Sequence, residues 1–270
     1  MGDRLGVALV AMALCLGAPA IAGPFEDADA AAHRKDYATA LRLWRSLAER
    51  GDTYAQFNIG LMYYNGHGVK QDYAEAMRLW RPIAARGDAL AQYSVGFLYD
   101  NGHGVAEDVE EALSWYRMAA EQQQAAAQTA LGDFFAEGRG VKQDYVEALR
   151  WYRLAAVQGE AGAQFALGYA FANGIGVPRN EVEAARWYRL AADQGDNGAQ
   201  VNLGLMYYNG RGVARSYELA YRWFALAAAH GDDVADGLRG MAAAKLTPEL
   251  IAEIEQSVRD ARNLVARRRP

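Results

Sequence analysis

The chain has 270 residues, 52% of them apolar, with a formal net charge of -5. It is long enough to bury a large core, and it lacks the basic excess that a nucleic-acid backbone demands of a partner. Its one cysteine, Cys15, lies near the N-terminus, so the rest of the chain has no disulfide framework, thiolate metal site or cysteine nucleophile.

Residues 1–22 read as an export signal. Arg4 precedes an uncharged apolar stretch from Leu5 to Leu16, followed by Pro19 and the small-residue site Ala20-Ile21-Ala22, which predicts cleavage before Gly23. The alternative is an uncleaved anchor, which Gly17 and Pro19 disfavour by interrupting the stretch. No asparagine stands in an Asn-x-Ser/Thr sequon. The expectation is an exported protein of the bacterial periplasm, with the extracellular space as the alternative.

From residue 51 to residue 230 the sequence repeats with a period of 36, and this period organises everything after the signal. Glycine recurs at Gly51, Gly87, Gly159, Gly195 and Gly231, with Gln123 breaking the series. Ala-Gln recurs at 55–56, 91–92, 127–128, 163–164 and 199–200, and a second glycine at Gly60, Gly96, Gly132, Gly168 and Gly204. A Gly-x-Gly-Val loop closes each first half, and six tryptophans fall in the second halves.

One unit is legible as a helix hairpin. Phe57, Ile59, Met62 and Tyr63 fall at helical spacing, and Gly66 supplies the left-handed residue that ends the first helix. Asp72 followed by Glu75 predicts a capping box for the second helix, recurring as Asp108/Glu111, Asp144/Glu147 and Asn180/Glu183, with Ser216 alone in the fifth unit. Glycine inside a helix costs about 1 kcal/mol against alanine, so five at one slot imply a requirement. The expected one is close approach of the second helix at Ala76, Ala112, Ala148, Ala184 and Ala220, with buried tryptophans filling the core.

A hairpin of this kind cannot hide its apolar faces alone, so neighbours stack and the ends are atypical. Residues 23–50 are expected to form an N-terminal capping hairpin, 51–230 five repeats, and 231–270 C-terminal capping helices. In the last segment Thr247-Pro248-Glu249 starts a helix with Leu250, Ile254, Val258, Ala261 and Val265 on one face. The fold class is all-α, an α/α superhelical solenoid of tandem helix hairpins.

With Ala-x3-Leu-Gly-x2-Tyr, the Asn-Gly-x-Gly-Val loop, the Asp cap, and Trp-Tyr-Arg-x-Ala-Ala before glycine, each unit resembles the Sel1-like repeat branch of the tetratricopeptide superfamily. Residues 141–159 carry the cleanest match, and the regular units cover about two-thirds of the chain. The resemblance implies an adaptor or scaffold with protein or peptide partners, no catalytic residues and no cofactor. Lacking cysteine after residue 15, the chain departs from the disulfide-rich exported relatives.

Direct inspection for chemistry agrees. No Gly-x-Ser-x-Gly, His-Glu-x-x-His, Walker or dinucleotide motif occurs. His67 and His103 share a loop slot that Arg139, Ile175 and Arg211 fill elsewhere, so they read as solvated loop residues rather than metal ligands. The arginine column at Arg45, Arg81, Arg117, Arg153 and Arg189 reads as a solvated outer face, and the asparagines at Asn65, Asn101, Asn173 and Asn209 as turn chemistry.

The candidate binding site is the inward side of the first helices, which in tetratricopeptide relatives lines a concave groove. Counting from each in-helix glycine, the contact residues are Tyr54, Phe57, Leu61, Tyr64, Tyr93, Phe97, Asp100, Asp133, Phe165, Tyr169, Leu205 and Tyr208, aromatic at both ends and acidic between. The expectation is a monomeric, non-catalytic scaffold holding a protein or peptide there, reaching a membrane only through its partner or an uncleaved signal. The alternative is an accessory or inhibitor of a cell-wall hydrolase, docking through the convex face with Arg117 and Arg153.

Overall fold

The computed structural model describes residues 23–229 and 231–268, with side chains described up to residue 260. The export segment read in residues 1–22 lies outside the described residues. All regular structure among the described residues is helical. The described residues divide between Leu131 and Gly132 into two compact units. The helices run in pairs: α1 (Pro24–His33) with α2 (Tyr37–Glu49), α3 (Thr53–Asn65) with α4 (Tyr73–Ala85), and α5 (Ala89–Asn101) with α6 (Val109–Glu121). Next come α7 (Ala125–Glu137) with α8 (Tyr145–Val157), α9 (Ala161–Asn173) with α10 (Glu181–Asp193), and α11 (Asn197–Asn209) with α12 (Tyr217–Ala228). The chain ends with α13 (Asp233–Ala243) and α14 (Pro248–Arg268). Within each unit every hairpin packs on the next, giving the all-α, tandem-hairpin class that the period predicts.

The first helices end where the glycines stand. Gly66, Gly102, Gly174 and Gly210 take left-handed φ values of 64–71° at the C-caps of α3, α5, α9 and α11. The second helices start on the predicted caps, with Asp72, Asp108, Asp144, Asn180 and Ser216 each accepting from a backbone N–H in the first turn. The return half of the capping box is not made. The N–H of each cap residue donates instead to a carbonyl nine residues back, as from Asp72 to Tyr63 at 2.9 Å and from Asn180 to Phe171 at 2.8 Å. That leaves Glu75, Glu147 and Glu183 to pair with Arg78, Arg150 and Arg186. Gln123, the break in the glycine series, takes φ +66 like the glycines it replaces.

The in-helix glycines are indeed required by close approach, but their neighbour is an aromatic ring rather than an alanine surface. A Cβ on Gly168 would lie 2.6 Å from Tyr188 Cδ1, one on Gly132 2.6 Å from Tyr152 Cε1, and one on Gly204 2.5 Å from Phe224 Cε1. Trp80 and Tyr116 cover Gly60 and Gly96 in the same way. The alanines at 76, 112, 148, 184 and 220 are buried as expected, at most 1% exposed. The tryptophans divide: Trp44 and Trp80 are core residues, whereas Trp115, Trp151, Trp187 and Trp223 stand one residue earlier and are half-buried. Tyr116, Tyr152, Tyr188 and Phe224 take the core slot in those helices.

The glutamines of the Ala-Gln pairs join one hairpin to the next. Gln92, Gln128, Gln164 and Gln200 are buried and donate Nε2 to the carbonyls of Ala84, Ala120, Ala156 and Ala192 at 3.1–3.2 Å, near the end of the preceding second helix. On the other side, Gln122 donates to Gln92 Oε1 at 2.7 Å and Gln194 to Gln164 Oε1 at 2.8 Å. Gln92 and Gln164 are thus held both by the preceding hairpin and by the end of the second helix of their own. The Nε2 bond fixes the register between hairpins, because a slip would orphan a buried donor and the carbonyl it serves.

At the C-terminal end, Thr247 Oγ1 accepts from the Leu250 N–H at 3.3 Å and Pro248 opens α14, as the sequence predicts. Ile254 and Val258 are buried against the α12 core, with Leu250 packed beside them. Beyond this contact the inward residues of α14 expected at 261 and 265 lie outside the described side chains.

Candidate functional site

The first helices carry every candidate contact, and burial separates those residues by slot. Phe57, Tyr64 and Tyr93 are core residues at 2–4% exposure. The Phe57 ring stacks on Trp80 with centroids 5.3 Å apart, Tyr64 lies 5.1 Å from Tyr73, and Tyr93 lies 5.6 Å from Tyr116. Their phase turns them toward the second helix of their own hairpin, so they supply packing and have no surface to offer a partner.

A second slot stays accessible. The residue immediately after each in-helix glycine is Leu61, Phe97, Asp133, Tyr169 or Leu205; Tyr169 is 50% exposed and the other four are half-buried. Phe97 leans on Tyr64 and His103 with centroids 6.2 and 6.1 Å away, and Phe165 lies 6.5 Å from Tyr169 and 5.7 Å from Tyr188. Tyr208 is half-buried against Tyr217, and Tyr54 is 38% exposed over the Phe25 ring. Partial burial pushes the Tyr54 phenol above its ordinary pKa and likewise raises Asp29, whose carboxylate accepts from the Tyr54 hydroxyl at 3.4 Å.

The two acidic candidates are tied into the packing. Asp100 accepts from the Tyr116 hydroxyl at 3.2 Å, and Asp133 from the Tyr152 hydroxyl at 2.7 Å. A carboxylate that satisfies a core tyrosine is part of the scaffold as well as of the surface.

The histidines are better placed than loop residues in water. His67 stacks on Tyr37 at 4.6 Å and His103 on Tyr73 at 4.4 Å, each across to the preceding hairpin. In the same slot Arg211 reaches Glu181, 2.9 Å from its Nε. This slot therefore works as an inter-hairpin contact, and the sequence signal for it is the aromatic or acidic residue that stands 30 positions earlier. Among the described residues no group of three His, Cys, Asp or Glu could hold a metal. Asn101, Asn173 and Asn209 bond the carbonyl four residues back at 2.8–2.9 Å, which is structural chemistry at the helix ends.

The five arginines of the outer column are exposed, as read from the sequence, and two are also contacts between hairpins. Arg45 donates to the Tyr63 hydroxyl at 3.5 Å, and Arg189 bonds the Tyr207 hydroxyl with its guanidinium 5.5 Å from the ring centre. A cleft of about 430 Å³ between α12, α13 and α14 is lined by Asp236, Arg239, Glu255 and Arg259. Its charges pair internally, Arg239 with Asp236 at 2.7 Å and Arg259 with Glu255 at 3.7 Å, and Tyr221 donates to Glu255 at 2.8 Å.

Against known proteins, the family model of the Sel1 repeat matches residues 31–52, 53–88, 89–123, 125–160, 161–196 and 198–232. The first match falls in the hairpin read as an N-terminal cap, so the family pattern begins one hairpin before the regular period. No curated protein sequence matches the chain. Among solved structures, a Sel1 repeat protein from Oxalobacter formigenes is 31% identical, with a TM-score of 0.76 over 87% of this chain and 99% of that one. A protective antigen of uropathogenic Escherichia coli with an SLR fold is 33% identical, with a TM-score of 0.72 over 89% of this chain. The present chain spans 54% of that antigen's length. An immunity protein from Pseudomonas aeruginosa, 20% identical with a TM-score of 0.53 over 74% of this chain and 80% of that one, shares the fold.

Proposed function

Because the chain belongs to the Sel1 repeat family, whose members form a generally non-catalytic fold that mediates protein–protein interaction, we propose that it is an exported scaffold holding a protein or peptide partner on its first helices. The observation that carries this reading is the slot after each in-helix glycine. The glycine slot is constant across five repeats, while its neighbour stays accessible and changes chemistry as Leu61, Phe97, Asp133, Tyr169 and Leu205. A position constrained by packing keeps one residue type from repeat to repeat; one that reads a partner is free to vary. Tyr169 and Phe97 are the aromatic anchors, because large rigid rings dominate binding energy at interfaces.

The signal read in residues 1–22 supports a place in the periplasm or cell envelope. No described helix is long and apolar enough to cross a membrane. The Escherichia coli relative is described as a protective antigen, which is consistent with an envelope setting.

The test is affinity capture from envelope extract with the wild-type chain and the Phe97→Ala/Tyr169→Ala variant, with helicity measured for both. The expected result is one specific partner, lost with that variant and retained by Arg117→Glu/Arg153→Glu. Retention by the aromatic variant with loss in the arginine variant would overturn this reading in favour of the second helices.

A further inference from the structure

The second helices of the C-terminal unit carry a surface that the repeat pattern does not require. On α8, Val146 is 61% exposed, Leu154 48% and Val157 76%; on α10, Val182 is 58% exposed and Leu190 47%. With 3.6 residues per turn, Val146, Arg150, Arg153, Leu154 and Val157 fall within an arc of about 100° on one helix face. Val182, Arg186, Arg189 and Leu190 repeat the first four places on α10, and Asp193 stands in the place of Val157. The corresponding slots of α6 hold Glu110, Ser114, Arg117, Met118 and Glu121, and those of α4 begin and end in Ala74 and Ala85. Stacking therefore does not dictate exposed valine and leucine here, and apolar side chains gathered on one exposed helix face mark a contact surface.

The two helices share a neighbour. Both pack on α9, and the loop that leads into α10 crosses the start of α8, where a Cβ on Gly176 would stand 2.8 Å from Tyr145 Cβ. Val146 and Val182 are thereby brought to neighbouring helix starts. Outward charge on this face is mainly basic: the Arg150 and Arg186 side chains are 69% and 72% exposed, against 27% and 32% for their partners Glu147 and Glu183. Arg153 and Arg189 are exposed beside them.

We propose that the α8–α10 face docks an acidic amphipathic helix of a protein partner. Two neighbouring helices present ridges between which the apolar side of a third can lie, and the arginines flanking the valines and leucines match carboxylates beside that helix's apolar stripe. This surface uses none of the first-helix slot, and the two sites stand or fall separately.

The experiment titrates the full chain with a designed helical peptide of about 18 residues, long enough to sustain a helix on a surface, carrying leucines at i, i+3, i+4 and i+7 flanked by glutamates. The same peptide with lysines and vesicles of phosphatidylglycerol serve as comparisons. The acidic peptide is expected to bind about tenfold or more tightly than the basic one, and Val157→Glu/Leu190→Glu to weaken it about tenfold, the scale of losing central anchors. Arg153→Glu should weaken it as well, the Phe97→Ala/Tyr169→Ala chain should bind like wild type, and unfolding midpoints of the surface variants should be unchanged. Equal binding of both peptides, no binding of either, vesicle binding lost in the same variants, or loss of the peptide by Phe97→Ala/Tyr169→Ala would each overturn the proposal.

Discussion

The Tyr188 ring lies across Gly168 so closely that a methyl group on residue 168 would sit 2.6 Å from Cδ1. Alanine is the better helix former by about 1 kcal/mol, yet overpacking a filled site costs about 1–3 kcal/mol, and here the obstacle is a buried ring that cannot swing aside. Gly168→Ala is therefore expected to lower stability, with a smaller urea midpoint. In a Tyr188→Ala background the sign should reverse, since only the propensity gain remains. A Gly168→Ala chain as stable as wild type would mean that the ring is free to shift.

Whatever depends on local spacing could be read from the sequence: the period, the left-handed glycines, the Asp and Asn caps and the Thr-Pro-Glu start of α14. What could not be read depends on which of two adjacent positions faces the neighbour. Trp115 and Tyr116 stand next to each other, about 100° apart on the helix, and composition points to tryptophan as the core residue, yet Tyr116 is the buried one. The same uncertainty of phase puts Phe57, Tyr64 and Tyr93 among the expected contacts, whereas they are core. The buried glutamines were visible as a repeated Ala-Gln pair, but their carbonyl partners lie on the preceding hairpin and no local pattern names them. The accessible slot on the first helices was legible only in part, because variability between repeats identifies a position and burial then decides whether it is accessible.

Gln123 takes φ +66 without the freedom of glycine. A residue with a Cβ costs about 1–2 kcal/mol in the left-handed region, so Gln123→Gly is expected to raise stability by about 1 kcal/mol after the added entropy of the unfolded glycine is subtracted. The reciprocal change is Gly159→Ala, at φ +93 with nothing within 4 Å of the added Cβ, which should lower stability by a similar amount through the backbone alone. Thermal unfolding of the two variants beside wild type checks both signs, and a fall in midpoint for Gln123→Gly would refute the argument.

Gln164 is 4% exposed, donates to the Ala156 carbonyl at 3.1 Å and accepts from Gln194 at 2.8 Å. Gln164→Ala removes both bonds and opens a small buried void, with an expected loss of about 1–3 kcal/mol. Gln194 is exposed, so Gln194→Ala should cost less than about 1 kcal/mol because water replaces the lost partner for one side. Urea unfolding combined with amide exchange is the measurement. Faster exchange should be concentrated where α8 meets α9, and uniform loosening of the chain would argue against a register-fixing role.

Tyr221 is buried 34 residues before Glu255, to which it donates at 2.8 Å, and burial, aided by that bond and by the carboxylate's charge, pushes its phenol from an ordinary 10 up to about 12. Tyr188, under its own burial, is raised as well. A phenol held protonated in the fold but free to ionise in the unfolded chain makes the unfolded state the poorer proton binder above pH 10. Stability is then complete below pH 10 and falls as pH rises toward about 12, where the folded phenol itself ionises. The loss should begin at the C-terminal end, since ionised Tyr221 would face the Glu255 carboxylate that joins α12 to α14. Tyr221→Phe keeps the ring and removes the proton, so its urea midpoint should decline less steeply than wild type across that window. Equal slopes for the two chains would show that Tyr221 does not carry the alkaline transition.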